Sequence, residues 1–302
     1  MNRVAIRLIG APLLLAALAA CLWVDWKRLQ RGWAPLAIPI VLCFFSVWSF
    51  RELCAMGRLK GLKPYEWIGW VLLPLPYAAV VLRLEVDLLQ LLMGIGFAGF
   101  LLSLVMHFAS KSPQSTLFTI LWFSYMNLLS STLFMQGSTL FLWWLLFLLA
   151  TGKGSDMAAY SVGKTMGRHK MAPRISPNKT WEGAIGGLVA GTLLGWWVLE
   201  SSGIGWIQVL YGIDPATGKR SPCEMVRTLQ VWHFLTMATF VCIAAQVGDL
   251  VKSAVKRWAG VKDSGKLLPE FGGTLDMIDS FVLNAPVAAL AYEIMRLAAA
   301  PC

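Results

Sequence analysis

Long apolar runs separated by short charged clusters dominate this chain. Uncharged stretches long enough to cross roughly 30 Å of hydrocarbon as a helix fall near residues 8–24, 33–50, 88–106, 114–134, 183–199, 231–248 and 280–292. Two shorter runs, 67–82 and 139–151, also read as spans. The pattern predicts an all-α polytopic membrane protein of about nine transmembrane helices, with eight and ten as alternatives. Charge gathers between the runs, at 25–31, 51–66, 83–87, 152–182, 214–227 and 249–279. The segments 152–182 and 249–279 are the longest and most polar. Two spans lie between them, so parity puts both on one side of the membrane, where they can share a site. The chain is accordingly divided into N-terminal transmembrane helices, 1–110, and a C-terminal transmembrane region, 111–302, which holds both polar segments.

Composition agrees with this reading. Hydrophobic residues make up 57% of the chain and charged residues only 14%, against about 45–50% and about 25% in soluble domains. Lys and Arg outnumber Asp and Glu by 26 to 16. With no basic and aromatic binding module in view, no nucleic-acid partner is expected. The positive charge suits anionic lipid headgroups or a phosphorylated substrate. The 152–182 segment carries six basic residues against Asp156 and Glu182, and 51–66 is also basic, so both are placed in the cytoplasm. Counting back puts the N-terminus inside and the 25–31 loop, with Lys27, Arg28 and Arg31, outside, against the charge rule. The localisation expected is the cell inner membrane, multi-pass, with the active site facing the cytoplasm.

Cys21, Cys43, Cys54, Cys223, Cys242 and Cys302 are scattered and support neither a disulfide framework nor a zinc site. Leu18 to Cys21 reads LAAC, like a lipoprotein cleavage box, but the first helix is expected to remain uncleaved. Gly183, Gly187, Gly191 and Gly195 recur every four residues and let another helix approach closely. Packing within the chain is the preferred reading of this stripe, and a homodimer face the alternative.

Candidate chemistry lies in the two polar segments. Asp249, Lys252, Ser253 and Lys256 recur at three- and four-residue spacings and share a helix face. After the tight turn allowed by Gly272 and Gly273, Asp276 and Asp279 stand three apart, close enough to repel unless a cation lies between them. Asp263 adds another carboxylate nearby. Mg²⁺ suits so few carboxylates, because waters and phosphate oxygens complete its shell. The alternative is a solvated pair bridged to Lys256, Arg257 or Lys262. The middle segment supplies Lys164, Arg168, Lys170, Arg174 and Lys179 as cations, with Ser176 and Thr180 as neutral donors. Cations and amides that grip phosphates, opposed by carboxylates that hold a metal, are the parts of phosphoryl or nucleotidyl transfer. A surface-charge role is the alternative for this loop. Gly163, Lys164 and Thr165 end like a phosphate-binding P-loop, but Ala158 stands where its first glycine is required. His107, His169 and His233 are too dispersed for a metal trio.

The stretch SAVKRWAGVKDSGKLLPEFGGTLDMIDS closely resembles the signature of the phosphatidate cytidylyltransferases, or CDP-diacylglycerol synthases. Ser253, Lys256, Arg257, Lys262, Asp263, Gly265, Pro269, Gly272, Gly273, Asp276 and Asp279 stand in register with it. Upstream, Ser176, Pro177, Lys179, Thr180, Glu182 and Gly183 resemble a second element of that family. The resemblance covers roughly 150–290. It implies transfer of CMP from CTP to phosphatidate or a related lipid phosphate, with Mg²⁺ and a second cation at the centre, among membrane lipids. It further implies Asp249 and Asp276, then Asp279, as metal ligands, with Asp249, Asp276, Lys256 and Lys179 catalytic. Ser176, Lys179, Thr180, Ser253, Lys256, Arg257, Lys262, Gly272 and Gly273 would bind substrate. Phe271 and Met277 stand where that family usually carries His and Arg, a departure read as a divergent but active branch. A CTP-dependent enzyme with another lipid-phosphate or isoprenoid-alcohol acceptor, and a transporter or non-catalytic membrane protein, are the competing readings.

Overall fold

A computed structural model describes residues 3–84, 95–96, 98–103, 105–106, 112–133, 141–201, 230–265, 267 and 272–298. Residues 88–94, 97 and 104 of the apolar run 88–106, the charge cluster 214–227, and His107, Pro269, Phe271, Cys223 and Cys302 lie outside them. The described chain is mostly helical, with one two-stranded hairpin. Among the described residues, four helices are long and apolar enough to cross a membrane: Ala37–Leu59, Trp181–Ser201, Trp232–Ala259 and Thr274–Ile294. The chain divides into two compact units, Met1–Thr139 with Val251–Val282, and Leu140–Leu250 with Leu283–Cys302.

The first unit begins with α1 (Arg3–Gln30) and α2 (Ala37–Leu59). No side chain next to the start of α2 caps it. Instead Asp25, fully buried in α1, accepts the amide N–H groups of Leu36, Ala37 and Ile38 at 2.7, 2.9 and 2.8 Å. Those are donors that a helix start leaves without intrahelical partners, and a carboxylate is the strongest acceptor for them. Gly61, at φ +77°, takes the left-handed turn that follows α2. Helices α3 (Glu66–Leu72) and α4 (Pro74–Val81) are separated at Pro74, which has no N–H to continue the ladder. Helix α5 (Pro113–Asn127) starts on a proline and tightens into a 3₁₀ segment, Leu128–Leu133. Phe50, Leu53, Ile68, Phe123, Met126 and Leu129 form the core of this unit with Val255, Leu275 and Val282.

The second unit starts with α6 (Phe141–Leu149), which runs through one π turn, Ala150–Gly154, into α7 (Ser155–Thr165). The helix therefore extends well into the segment expected to be a polar loop. The antiparallel strands β1 (Lys170–Ala172) and β2 (Ser176–Thr180) follow, pairing Lys170 with Thr180 and Ala172 with Ser176. They lead directly into α8 (Trp181–Ser201). The four glycines of α8 are buried against the preceding helix and its neighbours. A β-carbon on Gly183 would lie 2.7 Å from the Ala159 carbonyl oxygen, and one on Gly187 would lie 2.6 Å from that of Ser155. The stripe therefore serves packing within the chain. Helix α9 (Gln230–Ala259) crosses the boundary between the units at residue 250, and α10 (Thr274–Ala298) crosses it at residue 282. Cys21, Cys43, Cys54 and Cys242 are free thiols.

Candidate active site

In the second unit, the motif from Ser176 to Gly183 divides its work. Thr180 is buried and precedes the first residue of α8, where its hydroxyl oxygen accepts the Gly183 N–H at 3.2 Å, as a helix cap does. Glu182 accepts the amide N–H groups of Arg168 and His169 at 3.1 and 3.2 Å and meets His169 Nδ1 at 2.6 Å. It thereby ties the entry of the hairpin to the start of α8. Gly183 lets α7 pass close by, as described above. With its neighbours so occupied, Lys179 directs its ammonium group to Asp249 at the start of the polar part of α9, with Nζ to Oδ2 at 2.6 Å. Both side chains are partly open to solvent. Ser176 is half-buried at the start of β2. A lysine of the middle motif thus meets the acid that opens the C-terminal polar segment.

In the first unit, the C-terminal part of α9 faces the start of α10. Lys256 Nζ lies 2.6 Å from Asp276 Oδ1. Lys252, 8% exposed, contacts Asp279 directly and lies 3.5 Å from Asp276 Oδ1. The two carboxylates, three residues apart and on one side of α10, thus have an ammonium group between them, which relieves their mutual repulsion. The second oxygen of Asp276 accepts the backbone N–H and hydroxyl of Ser264, each at 3.1 Å, and the Gly273 N–H at 3.4 Å. Asp279 is 3% exposed, and its Oδ1 accepts the Ser280 N–H at 2.7 Å. Gly272 is at φ +85°, a conformation that glycine reaches without a steric cost. Ser253 is half-buried, while Arg257, Lys262 and Asp263 are exposed. Met277 packs against the apolar core of the unit.

Two charged groups in this unit carry more than the sequence assigned them. Lys252 was visible on the polar face of α9, but its place between the two aspartates was not. Glu52 was counted only within a basic segment, yet it is 6% exposed and accepts three hydrogen bonds from residues 264, 274 and 275. The available signal was the single acid of α2, Glu52, next to Arg51 in a helix that is apolar from Ala37 to Phe45, where a buried ionisable group needs a partner.

The donor set is one of hard oxygens. No group of three or more His, Cys, Asp or Glu converges among the described residues. A hard divalent cation such as Mg²⁺ would need only one or two of these carboxylates, with water and phosphate oxygens completing its shell.

A helical membrane protein whose lysines and aspartates pair at helix ends, on glycine-rich turns, has the parts of an enzyme acting on phosphate groups at a membrane. The chain belongs to the cytidylyltransferase family, whose model matches residues 5–295. It is 32% identical over 271 residues to a phosphatidate cytidylyltransferase of Brucella melitensis, covering 90% of this chain and 86% of that protein. The uncharacterized protein YnbB of Escherichia coli (strain K12) is 33% identical over 262 residues, covering 82% of this chain and 77% of its own. A phosphatidate cytidylyltransferase of Staphylococcus haemolyticus is 39% identical over 133 residues, covering 44% and 42% of the two chains.

Proposed function

We propose that this enzyme transfers CMP from CTP to phosphatidate, yielding CDP-diacylglycerol and pyrophosphate. The observation that carries the proposal is the Lys179–Asp249 pair, in which a lysine of the motif at 176–183 meets an acid of the polar part of α9. A phosphatidate oxygen would attack the α-phosphorus of CTP in line. One P–O bond forms as the bond from the α-phosphorus to the bridging oxygen breaks, and pyrophosphate leaves with that electron pair.

Asp249 and Asp276, with Asp279 next, would hold Mg²⁺ and a second cation. Bound there, the metals would neutralise charge on the attacking and leaving oxygens. Lys179, Lys256 and Arg257 would grip phosphates, and Ser176, Ser253, Lys262 and the amides of Gly272 and Gly273 would complete the binding surface. Thr180 would act on the substrate indirectly, by fixing the strand that presents Lys179. The lysine contacts support this reading, because each proposed carboxylate ligand already attracts a cationic group.

The excess of Lys and Arg in 51–66 and 152–182 supports a cytoplasmic active site in an inner-membrane protein with about nine spans. Residues 1–110 would form its supporting helices and 111–302 its catalytic region. The same residues suit another lipid phosphate, and Met277 favours keeping that second reading, because its apolar packing leaves no basic group where relatives of the signature carry Arg.

Purified full-length protein with CTP, Mg²⁺ and phosphatidate is expected to release pyrophosphate and form CDP-diacylglycerol, and Asp276→Asn is expected to abolish both. A panel of lipid phosphates and an isoprenoid alcohol separates the acceptors. A wild type silent on every acceptor refutes the assignment.

A further inference from the structure

We infer that Glu52, on a helix of the N-terminal region, is the positioning residue that sets the glycine turn and Asp276 at the start of α10. The inference rests on Asp276 belonging to the catalytic centre. Glu52 Oε1 accepts the Thr274 N–H at 2.9 Å, and Oε2 accepts the Leu275 N–H at 3.0 Å and the Ser264 hydroxyl at 2.8 Å. One buried carboxylate therefore takes two of the amides that the start of α10 leaves free, and it fixes Ser264. Ser264 in turn holds Oδ2 of Asp276 through its amide N–H, and its one hydroxyl proton lies between the two carboxylates, 2.8 Å from Glu52 Oε2 and 3.1 Å from Asp276 Oδ2 by its oxygen. Ser49 reinforces the same corner, with its hydroxyl 3.0 Å from that of Thr274.

Two glycines of the C-terminal signature are explained by this carboxylate. A β-carbon on Gly265 would find as its three nearest atoms only atoms of Glu52, with Cδ at 2.7 Å. A β-carbon on Gly273 would overlap Glu52 Oε2 and Ser264 Oγ, and would lie 2.6 Å from the Gly265 nitrogen. Neither glycine has a positive φ, so what these positions require is room for the Glu52 side chain rather than conformational freedom. The turn and the distant acid form one fitted unit.

The substitution Glu52→Gln retains shape but places an NH₂ group against at least one of the two backbone N–H donors. Such a shift of a positioned group is expected to lower kcat on the order of 10²-fold, while the KM for the lipid acceptor stays within about threefold. Hydrogen exchange at the amides of 274 and 275 should accelerate, with the thermal midpoint within a few degrees of the wild type.

The decisive measurement is a double-mutant cycle on the full chain in detergent. Gly265→Ala should cost at least about tenfold in kcat, and less than about threefold in a Glu52→Ala background, where the overlapping atoms are gone. Equal costs in both backgrounds overturn the inference, and so does Glu52→Gln with normal kcat and normal amide protection. If both Glu52 variants lose activity only in proportion to lost folded protein, the residue is merely structural and the inference also fails. Retained activity in Asp276→Asn would instead refute the proposed centre, a result distinguishable from each of these.

Discussion

Replacing Lys252 by Met tests whether the acids of α10 are held by a cation. Lys252 is 8% exposed, Asp279 is 3% exposed, and both lie among buried groups. With Lys252 Nζ 3.5 Å from the Asp276 oxygen, one such attraction is worth about 5 kcal/mol at an effective dielectric of ~20. Desolvation of the lysine opposes part of this, and removing one member of a buried ion cluster costs about 3–5 kcal/mol in net terms. At about 2–4 °C per kcal/mol for a chain of this class, the thermal midpoint should fall by roughly 10 °C. The chain contains 15 tryptophans, so intrinsic fluorescence in detergent can follow the transition. Millimolar Mg²⁺ without nucleotide should restore more stability to the Lys252→Met protein than it adds to the wild type, because a divalent ion then relieves the repulsion between the carboxylates. A variant as stable as the wild type without Mg²⁺ would refute the electrostatic reasoning. Equal Mg²⁺ shifts in the two proteins would refute metal binding at these carboxylates.

Lys179→Ala should lower kcat/KM for CTP by about 10²–10³-fold, the range for losing one group that stabilises transition-state charge. Its thermal midpoint should barely change, since a partly exposed ion pair contributes only about 0–1 kcal/mol; a large loss of stability with unchanged CTP kinetics would show Lys179 to be structural. Gly187→Leu should destabilise the monomer by more than the roughly 1–3 kcal/mol typical of overpacking, because even its β-carbon meets the Ser155 carbonyl, and size-exclusion with thermal unfolding would detect it. An unchanged midpoint accompanied by a change in oligomeric mass would contradict the in-chain role of the glycine stripe.

The helical character, the grouping of lysines with aspartates and the face shared by Asp249, Lys252 and Lys256 were legible because each depends on local spacing. The hairpin of β1 and β2 was not. Its strands are three and five residues long, too short for a period-two pattern to emerge, and the polar side chains around it resemble a loop. Continuation of α6 into α7 was hidden for a different reason. The run GKGSD, at 152–156, reads as punctuation, whereas Gly154, which ends the π turn, and Ser155 after it both adopt helical geometry. The contacts of Lys252 and Glu52 depend on residues 24 to 223 positions away in sequence, so no local pattern encodes them.

Those long-range contacts change what the N-terminal region contributes. Its apolar positions need only be greasy and of suitable volume, which permits wide substitution among aliphatic residues and leaves little motif to resemble. Its buried acids are different. Asp25 takes the three leading amides of α2, and Glu52, carried on α2, takes two amides at the start of α10. A neutral apolar residue at either place would leave buried N–H donors without partners, at about 1–3 kcal/mol each. The two carboxylates therefore form a chain of support, in which the first fixes the start of α2 and the second uses α2 to fix the turn that presents Asp276. A region that contributes none of the proposed metal ligands can, by this route, still determine where one of them stands.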